Sequence, residues 1–218
     1  MADYKRGSDD PKVTYDPGAG LWNSKDKTNE MRAFKLALIA ALPLARYVIG
    51  ENARNHMRYY LRNEGRPYVI ETVEKLAKDS GMGKTIYNDE LRRAKIFVER
   101  LPVGTHRITS GRASKAYNRR RGLGGSTGGS KNWFYAVGGY SAWGKGEATV
   151  TRAANGKRRY SLEFEYKFRD RYNWDKGKSV RIAGVRITDN FMGELHRQGL
   201  AKEFYMYGSW HHVITWES

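Results

Sequence analysis

Apolar residues in the first half of the chain recur every three or four positions, which is the spacing of α-helices. The first such run, over residues 31–49, is apolar on nearly every side, so it predicts a buried helix with a kink or break at Pro43. Residues 51–63, a segment from Pro67 to Gly83, and residues 88–98 predict three more helices. Residues 28–103 are therefore predicted to form a helical region.

The second half instead alternates apolar and polar residues, which is the pattern of half-buried strands. Residues 162–168 show it most clearly, residues 133–137, 148–151, 180–187 and 210–216 are further strand candidates, and Asn155-Gly156 predicts a hairpin turn. Thr188 and Asp189 are candidate caps of a late helix that reaches Phe204 with a bend at Gly199. The predicted fold class is α+β: a helical half, then an antiparallel β-sheet over residues 132–218 with the late helix packed on it.

Two segments show neither the helical spacing nor the strand alternation of apolar residues. Residues 1–27 mix Asp, Lys, Gly and Pro, which predicts a poorly ordered leader. Residues 104–131 form a basic connection rich in Gly and Ser, which we interpret as a flexible linker, with a cationic contact loop or a nucleotide-binding loop as alternatives. The connection lacks the spacing of a P-loop or of GxGxxG. Residues 28–218 are expected to be one continuous domain.

Composition narrows the classes of function. The chain has no Cys, which excludes disulfides, thiolate nucleophiles, iron–sulfur clusters and zinc sites built on Cys. The longest apolar stretch, residues 36–45, includes a proline and is about half as long as a membrane-spanning helix. Residues 1–30 contain no apolar core of a secretory signal peptide, so none is predicted.

Positive charge is concentrated in one quarter of the chain. The formal net charge is +17, and residues 106–160 carry 12 basic side chains against a single acid, Glu147. Such clustering predicts a face for an anionic partner, namely nucleic acid, anionic lipid or an acidic protein, and the alternative is a solvated surface that keeps the protein soluble. The candidate anion-binding residues are Arg119, Arg120, Arg121, Lys131, Lys145, Arg158 and Arg159. Trp133 and Trp143 are candidate stacking residues, unless these rings form the inner face of the sheet.

His196 is the strongest candidate for catalysis. Asp189, His196 and Glu203 are seven residues apart and would share a face of an unbroken helix, and Asp170 precedes them. A His with a nearby carboxylate is the usual acid–base pair for hydrolysis of phosphodiesters. The alternative is that His196 fills a packing position while Asp170 and Asp189 bond to local backbone. None of the five His has a recognisable metal-ligand spacing, and the cofactor is left open, with a divalent metal as one option.

The helix at residues 34–49 has an alternative use. Because it is nearly all apolar, with Lys35 and Arg46 near its ends, it could leave the fold and insert into a bilayer. A core helix is the favoured interpretation.

Three runs, at residues 134–140, 170–174 and 195–204, resemble C-terminal toxin domains of bacterial polymorphic toxins, the effectors delivered between competing bacteria by Rhs-type and type VI secretion machines. The resemblance covers about residues 50–210 and identifies no catalytic position. It implies a small antibacterial effector, a cognate and often acidic immunity protein, and a secretion-machine carrier. It also implies synthesis in the producer's cytoplasm, export without a signal peptide and action in the recipient cell.

The leading hypothesis is accordingly an antibacterial toxin that attacks an anionic target, with nucleic acid favoured. Here the basic segment holds phosphates, and His196 with Asp170 or Asp189 transfers protons. One alternative is a membrane-permeabilising effector without catalysis, and the second is a non-toxic nucleic-acid-binding module.

Overall fold

The computed structural model describes residues 4–79, 81–117, 128–174, 179–182 and 185–218. Its helices are α1 (Asn29–Ile49), α2 (Glu51–Leu61), α3 (Val73–Asp79), α4 (Gly81–Glu99), α5 (Gly128–Val137) and α6 (Asp189–Arg197). Its strands are β1 (Tyr4–Arg6), β2 (Tyr68–Val69), β3 (Gly104–Ser110), β4 (Ser114–Tyr117), β5 (Gly139–Arg152), β6 (Arg158–Tyr172), β7 (Ser179–Ile182), β8 (Val185–Thr188) and β9 (Phe204–Glu217). The α+β prediction is confirmed, with most helices before the long strands.

The main sheet is built around three long antiparallel strands. Its order is β1-β3-β5-β6-β9-β2, β4 adds to one end of β5, and only the short β2 pairs in parallel, with β9. The Asn155-Gly156 turn joins β5 to β6, as predicted, and Gly156 has the positive φ of +79° that such a turn needs. Strands β7 and β8 form a separate two-stranded ribbon.

The two faces of the sheet differ, because side chains alternate along each strand. Even-numbered residues of β6, such as Phe164 and Phe168, are buried beneath the helices. Odd-numbered residues of β6, such as Lys167 and Arg171, lie on the opposite face, which we call the outer face. The hydrophobic core therefore lies between the sheet and the helices.

Helix α1 departs from the expectation of burial on every side. It is capped by the Thr28 hydroxyl and runs through Pro43 without a break. Five residues bury one side, namely Met31, Leu38, Ala41, Ala45 and Ile49. Among the described residues, the opposite side of α1 is exposed, with Leu36, Leu44 and Tyr47 more than half exposed.

Several local predictions are wrong. Residues 68–69, expected in a helical segment, form strand β2, and residues 104–110 and 114–117 of the expected flexible linker form β3 and β4, because each of these segments pairs with a strand that is distant in sequence. Residues 133–137 are the end of helix α5 rather than a strand, because Trp133, Ala136 and Val137 are buried at helical spacing, which a short apolar run does not distinguish from a strand. The late helix ends at Arg197 and not at Phe204. Gly199 has a positive φ of +64°, and the amides of residues 200 and 201 bond to the Leu195 carbonyl, which terminates the helix.

The N-terminal segment makes specific contacts, although its composition predicts a poorly ordered leader. Tyr4 is buried, and β1 pairs with β3. The chain then crosses the outer face of the sheet, where Asp10 bonds to Lys145 and Lys167. The ring of Tyr15 packs edge-on against Tyr205. Ion pairs and ring contacts with the sheet thus replace the periodic apolar pattern that the segment lacks.

A buried acid ties helix α4 to three strands. The Glu90 side chain is fully buried and accepts hydrogen bonds from the Tyr4 hydroxyl of β1 (3.0 Å), the Ser114 hydroxyl of β4 (2.7 Å) and the Gly144 amide of β5 (3.3 Å). It also pairs with Arg93 one turn along the helix. A buried carboxylate is tolerated only with such partners.

We expect Glu90→Ala to lower the free energy of unfolding by about 3 kcal/mol, because it removes the buried acceptor shared by the Tyr4 hydroxyl, the Ser114 hydroxyl and the Gly144 amide, and one of the acids paired with Arg93. The matched control is Asp89→Ala, which removes an acid on the same helix whose ion pairs with Arg92 and Arg93 are partly exposed. Asp89→Ala should lower the free energy of unfolding by less than about 1 kcal/mol. Urea unfolding followed by circular dichroism measures both values, and equal losses would contradict the assigned role of Glu90.

His56 makes stability depend on pH. Burial lowers its pKa from 6.5 to about 4, even though the hydrogen bond from Nδ1 to the Ala136 carbonyl opposes the shift. The unfolded chain therefore binds a proton between pH 6.5 and 4 that the folded chain rejects, so stability falls as the pH falls through this window. The decrease in the free energy of unfolding should approach about 3 kcal/mol. Urea unfolding at pH 7 and pH 4.5 should show a smaller pH effect in His56→Gln than in His211→Gln, which alters an exposed His.

Candidate active site

Two runs that are distant in sequence meet at one end of β6. Arg171 lies near the C-terminal end of β6, His196 lies in the last turn of α6, and Glu203 directly precedes β9. The turn after α6 folds back, so that the Glu203 amide donates to His196 Nδ1 at 3.1 Å. Glu203 therefore reaches His196 through this turn and not along a continuous helix face, as the seven-residue spacing suggests.

The Glu203 carboxylate is the centre of this cluster. Its side chain is fully buried, and Oε2 accepts from Arg171 at 2.8 Å and lies 3.9 Å from His196 Nε2. Oε1 accepts from the backbone amides of Trp174 at 3.1 Å and Ala19 at 2.9 Å. The carboxylate is thus held by groups from four separate parts of the chain.

The hydrogen bonds of His196 define its tautomer. Nδ1 accepts from an amide, so the ring proton is on Nε2, which donates to the Gly20 carbonyl at 3.1 Å. Burial lowers the pKa of His196, and the Glu203 charge opposes that shift only in part. The imidazole is therefore neutral at pH 7 and presents an N–H donor beside a carboxylate.

Residues 16–20, which we call the strap, cover the cluster with their backbone. Arg171 Nη1 donates to the Pro17 carbonyl at 3.1 Å, and Arg197 Nη1 donates to the Ala19 carbonyl at 2.9 Å. Arg171 Nη1 also donates to the Asp16 carbonyl at 3.4 Å. With Gly20 on His196 and the Ala19 amide on Glu203, the strap gives the cluster four carbonyl acceptors and one N–H donor. Gly18 fits only because it lacks a side chain, since a Cβ there would overlap the Glu203 carboxylate.

The two candidate aspartates are placed differently. Asp170 neighbours Arg171 on β6 and so lies on the opposite face of the strand. It also lines a small cavity, which Tyr15 and Tyr140 line as well. Asp189 is buried in the first turn of α6, two turns before His196, and its charge adds to burial in raising the pKa of Tyr172. Among the candidate acids, Glu203 is the one that the structure places against His196.

The predicted anion-binding set divides into several locations. Arg119, Arg120 and Arg121 lie outside the described residues, as does the side chain of Lys131. Trp133 is buried in α5 and therefore presents no free ring face. Arg158 bonds to the carbonyls of Glu99 and Leu101, and Arg159 pairs with Glu217. Arg159 lies 12 residues from Arg171 on β6, which is about 40 Å in a strand.

Lys145 and Trp143 do meet, on the outer face, around an acid of the N-terminal segment. Trp143 is buried there, so, like Trp133, it presents no free ring face for stacking. The Asp10 carboxylate accepts from Lys145 (3.1 Å), Lys167 (2.7 Å) and the Trp143 indole (3.2 Å). Burial alone would raise the pKa of Asp10, but these hydrogen bonds outweigh it and lower the pKa. Lys145, Lys167 and the Trp143 indole therefore bind the carboxylate of Asp10 together, so these donors converge on one anion.

Sequence reasoning missed four members of these two sites: Arg171, Arg197, Lys167 and the strap. Arg171 and Arg197 stand in the runs that carry the toxin resemblance, and Lys167, Arg169 and Arg171 share one face by simple alternation. That alternation was the available signal for the basic outer face. In the residues that the structure describes, no group of three His, Asp or Glu could hold a metal.

No protein-family model matches the sequence, and no curated protein matches it. Solved structures with partial likeness include PaeM, a colicin M-like bacteriocin produced by Pseudomonas aeruginosa, with 13% identity and a TM-score of 0.43 over 77% of this chain and 51% of PaeM. The bacteriocin syringacin M from Pseudomonas syringae pv. tomato DC3000 has 13% identity and a TM-score of 0.40 over 76% of this chain and 52% of syringacin M. A truncated syringacin M has 12% identity and a TM-score of 0.38 over 76% and 59%. The chain spans about half to three-fifths of the length of these proteins.

We expect Gly18→Ala to loosen the strap, because the new Cβ overlaps Glu203 and the backbone has a φ of +72°. Gly20→Ala is a control, since its φ of +103° also strains the backbone while a Cβ there meets no atom within 4 Å. Hydrogen exchange of the Ala19 amide should accelerate more in Gly18→Ala than in Gly20→Ala. Equal rates in the two variants would mean that the strap does not depend on its contact with Glu203.

Proposed function

We propose that this chain is an antibacterial toxin domain that hydrolyses phosphodiester bonds in an anionic target of the recipient cell, with nucleic acid as the first candidate substrate. The observation that carries the proposal is the arrangement of the strap on the cluster. Four carbonyl oxygens of the strap accept hydrogen bonds from Arg171, Arg197 and His196, and one N–H of the strap donates to Glu203. The oxygens of a phosphoryl group are acceptors that fit the positions of these carbonyls. An attacking water has an O–H donor that fits the position of the strap N–H.

The antibacterial role is supported by the runs that resemble polymorphic toxin domains. Two of these runs, 170–174 and 195–204, supply Arg171, His196, Arg197 and Glu203, which all bond within one cluster or to the strap over it. PaeM and syringacin M are bacteriocins by name, and the same class of activity is proposed here on this chain's own residues. An acidic immunity protein and a secretion-machine carrier would accompany such an activity.

The tautomer of His196 assigns the roles. A neutral imidazole that donates from Nε2 stabilises charge on a phosphoryl oxygen, while the arginines neutralise the remaining charge. Glu203 is then the general base, because departure of Ala19 frees an acceptor position on Oε1. Glu203 takes the proton of water as the water oxygen bonds to phosphorus. The ester P–O bond breaks, and the leaving oxygen takes a proton from solvent.

Access requires the strap to leave. In the described structure the donors of His196, Arg171 and Arg197 toward this site are occupied by backbone carbonyls, and Glu203 is fully buried. The substrate must therefore replace residues 16–20, and strap contacts set part of the cost of binding. The basic outer face, with Lys145 and Lys167 beside Trp143, lies along the path of the same segment and is a place for further phosphates of a polymer.

We expect His196→Gln and Glu203→Gln to lower hydrolysis by about 100-fold or more, because each removes a group that acts in the transition state. His211→Gln is the matched control, since its His is exposed on the outer face. The purified proteins are incubated with plasmid DNA, total RNA and transfer RNA, and the products are separated on gels. Circular dichroism checks that each variant folds, and Gly18→Ala should cleave at least as fast as wild type because its strap is looser.

The same proteins are tested by inducible expression in a bacterium, in the cytoplasm and behind an export signal. Growth arrest from the cytoplasm that His196→Gln relieves and His211→Gln retains supports the proposal. Full toxicity of a folded His196→Gln variant would contradict the assigned site. Normal growth with soluble wild-type protein would reject the toxin and favour a module that only binds nucleic acid.

A further inference from the structure

Helix α1 carries a row of large apolar side chains that nothing in the described structure covers. Leu36 is 67% exposed, Ile39 44%, Leu44 52% and Tyr47 70%. These positions recur every three to five residues with the exposed Pro43 among them, so they share one face of the helix. Single exposed apolar residues are common, but a continuous row over three turns marks a contact surface. We call this row the apolar ridge.

The ridge is fixed in an outward orientation. On the opposite side of α1, Leu38 and Ala45 are almost fully buried, and Phe34 packs its ring against Phe191 of α6 at 5.0 Å. Rotating the ridge inward would expose these residues. Whatever covers the ridge must therefore meet it in this orientation.

Cations lie at both ends of the ridge. Arg32 precedes it, and the Arg46 guanidinium lies 4.6 Å from the centre of the Tyr47 ring. Beside the N-terminal end, Lys25, Lys27 and Arg32 line an open recess of about 720 Å³ in which Asp26 is the one acid among the lining residues. Within α1 itself the one acid is Glu30, against three basic residues. An apolar strip with cations at its ends matches a surface of buried hydrocarbon and exposed phosphate.

We propose that the apolar ridge docks this protein on an anionic lipid surface, with α1 lying in the plane of the membrane. Leu36, Ile39, Leu44 and Tyr47 would enter the boundary between headgroups and acyl chains, and Arg32, Lys27 and Arg46 would pair with lipid phosphates. A second copy of the chain is the less suitable occupant, since it would bring a net charge of +17 and the same cations to the contact. Among the described residues, no helix is long and apolar enough to cross a bilayer. The docking is therefore peripheral.

Flotation with vesicles of phosphatidylcholine alone, or of phosphatidylcholine mixed with phosphatidylglycerol, tests the proposal on the full chain. We expect binding to the mixed vesicles and little to the neutral ones. Leu36→Ser combined with Leu44→Ser should weaken binding at least tenfold, which corresponds to about 1.4 kcal/mol. Val213→Ser is the control, because Val213 is 64% exposed on β9. Both changes are at exposed positions, so the variants should keep the fold.

A second pair of variants tests the cations. Arg32→Gln with Arg46→Gln should weaken binding to the mixed vesicles more than Arg66→Gln with Arg152→Gln, which removes the same charge from exposed positions elsewhere. Equal binding by both pairs, or equal affinity of wild type for neutral and mixed vesicles, would overturn the proposal. So would self-association in sedimentation that disappears in the Leu36/Leu44 variant, since the ridge would then be a dimer contact.

The outcome is independent of catalysis. His196→Gln should bind vesicles as wild type does, so loss of hydrolysis and loss of docking are separately observable. Release of a dye trapped in the mixed vesicles, abolished by the Leu36/Leu44 substitutions, would replace peripheral docking with membrane permeabilisation and overturn the proposal in its stated form.

Discussion

The buried carboxylate of Glu203 is the constraint on which this end of the molecule depends. A charge removed from water must be surrounded by donors, and here the donors come from β6, from the loop at Trp174 and from the strap, while His196 lies alongside. Each of these segments is therefore held where Glu203 requires it. The partner positions are 32 residues away for Arg171 and 184 for Ala19, so one side chain joins a segment near the N-terminus to two near the C-terminus.

The same hydrogen bonds that hold the strap also occupy the polar groups of the cluster. A neutral His, a carboxylate and two arginines are fully bonded while the strap is in place, which stabilises the closed state. In the proposed reaction, the donors of Arg171, Arg197 and His196 and the Glu203 carboxylate would bind the substrate in place of the strap. Stability of the strap and access to the cluster are therefore opposed, and Gly18 lies where the two meet.

Charge and apolar surface are distributed over different sides of the fold. The outer face of the sheet carries the basic residues that bind Asp10, and the side chains beneath the helices form the core. Helix α1 contributes to both the core and the surface, because one of its faces is buried and the other is apolar and open. A protein with net charge +17 thus presents a basic surface and an apolar surface at different places on the fold.

Local spacing determined much of this protein. The helical half, the long alternating strand β6, the Asn155-Gly156 turn and the cap at Thr188 are all set by interactions within a few residues, which a sequence displays directly. His196 and Glu203 were also named from the sequence, although the reason given, a shared helix face, was wrong. Tertiary structure decided the rest: that α5 is a helix, that α1 is exposed on one side, and that Glu203 rather than Asp170 or Asp189 is the carboxylate beside His196. These outcomes depend on which surfaces meet after the chain has folded, and the free energy of burying a surface or a charge depends on partners that lie far away in the sequence.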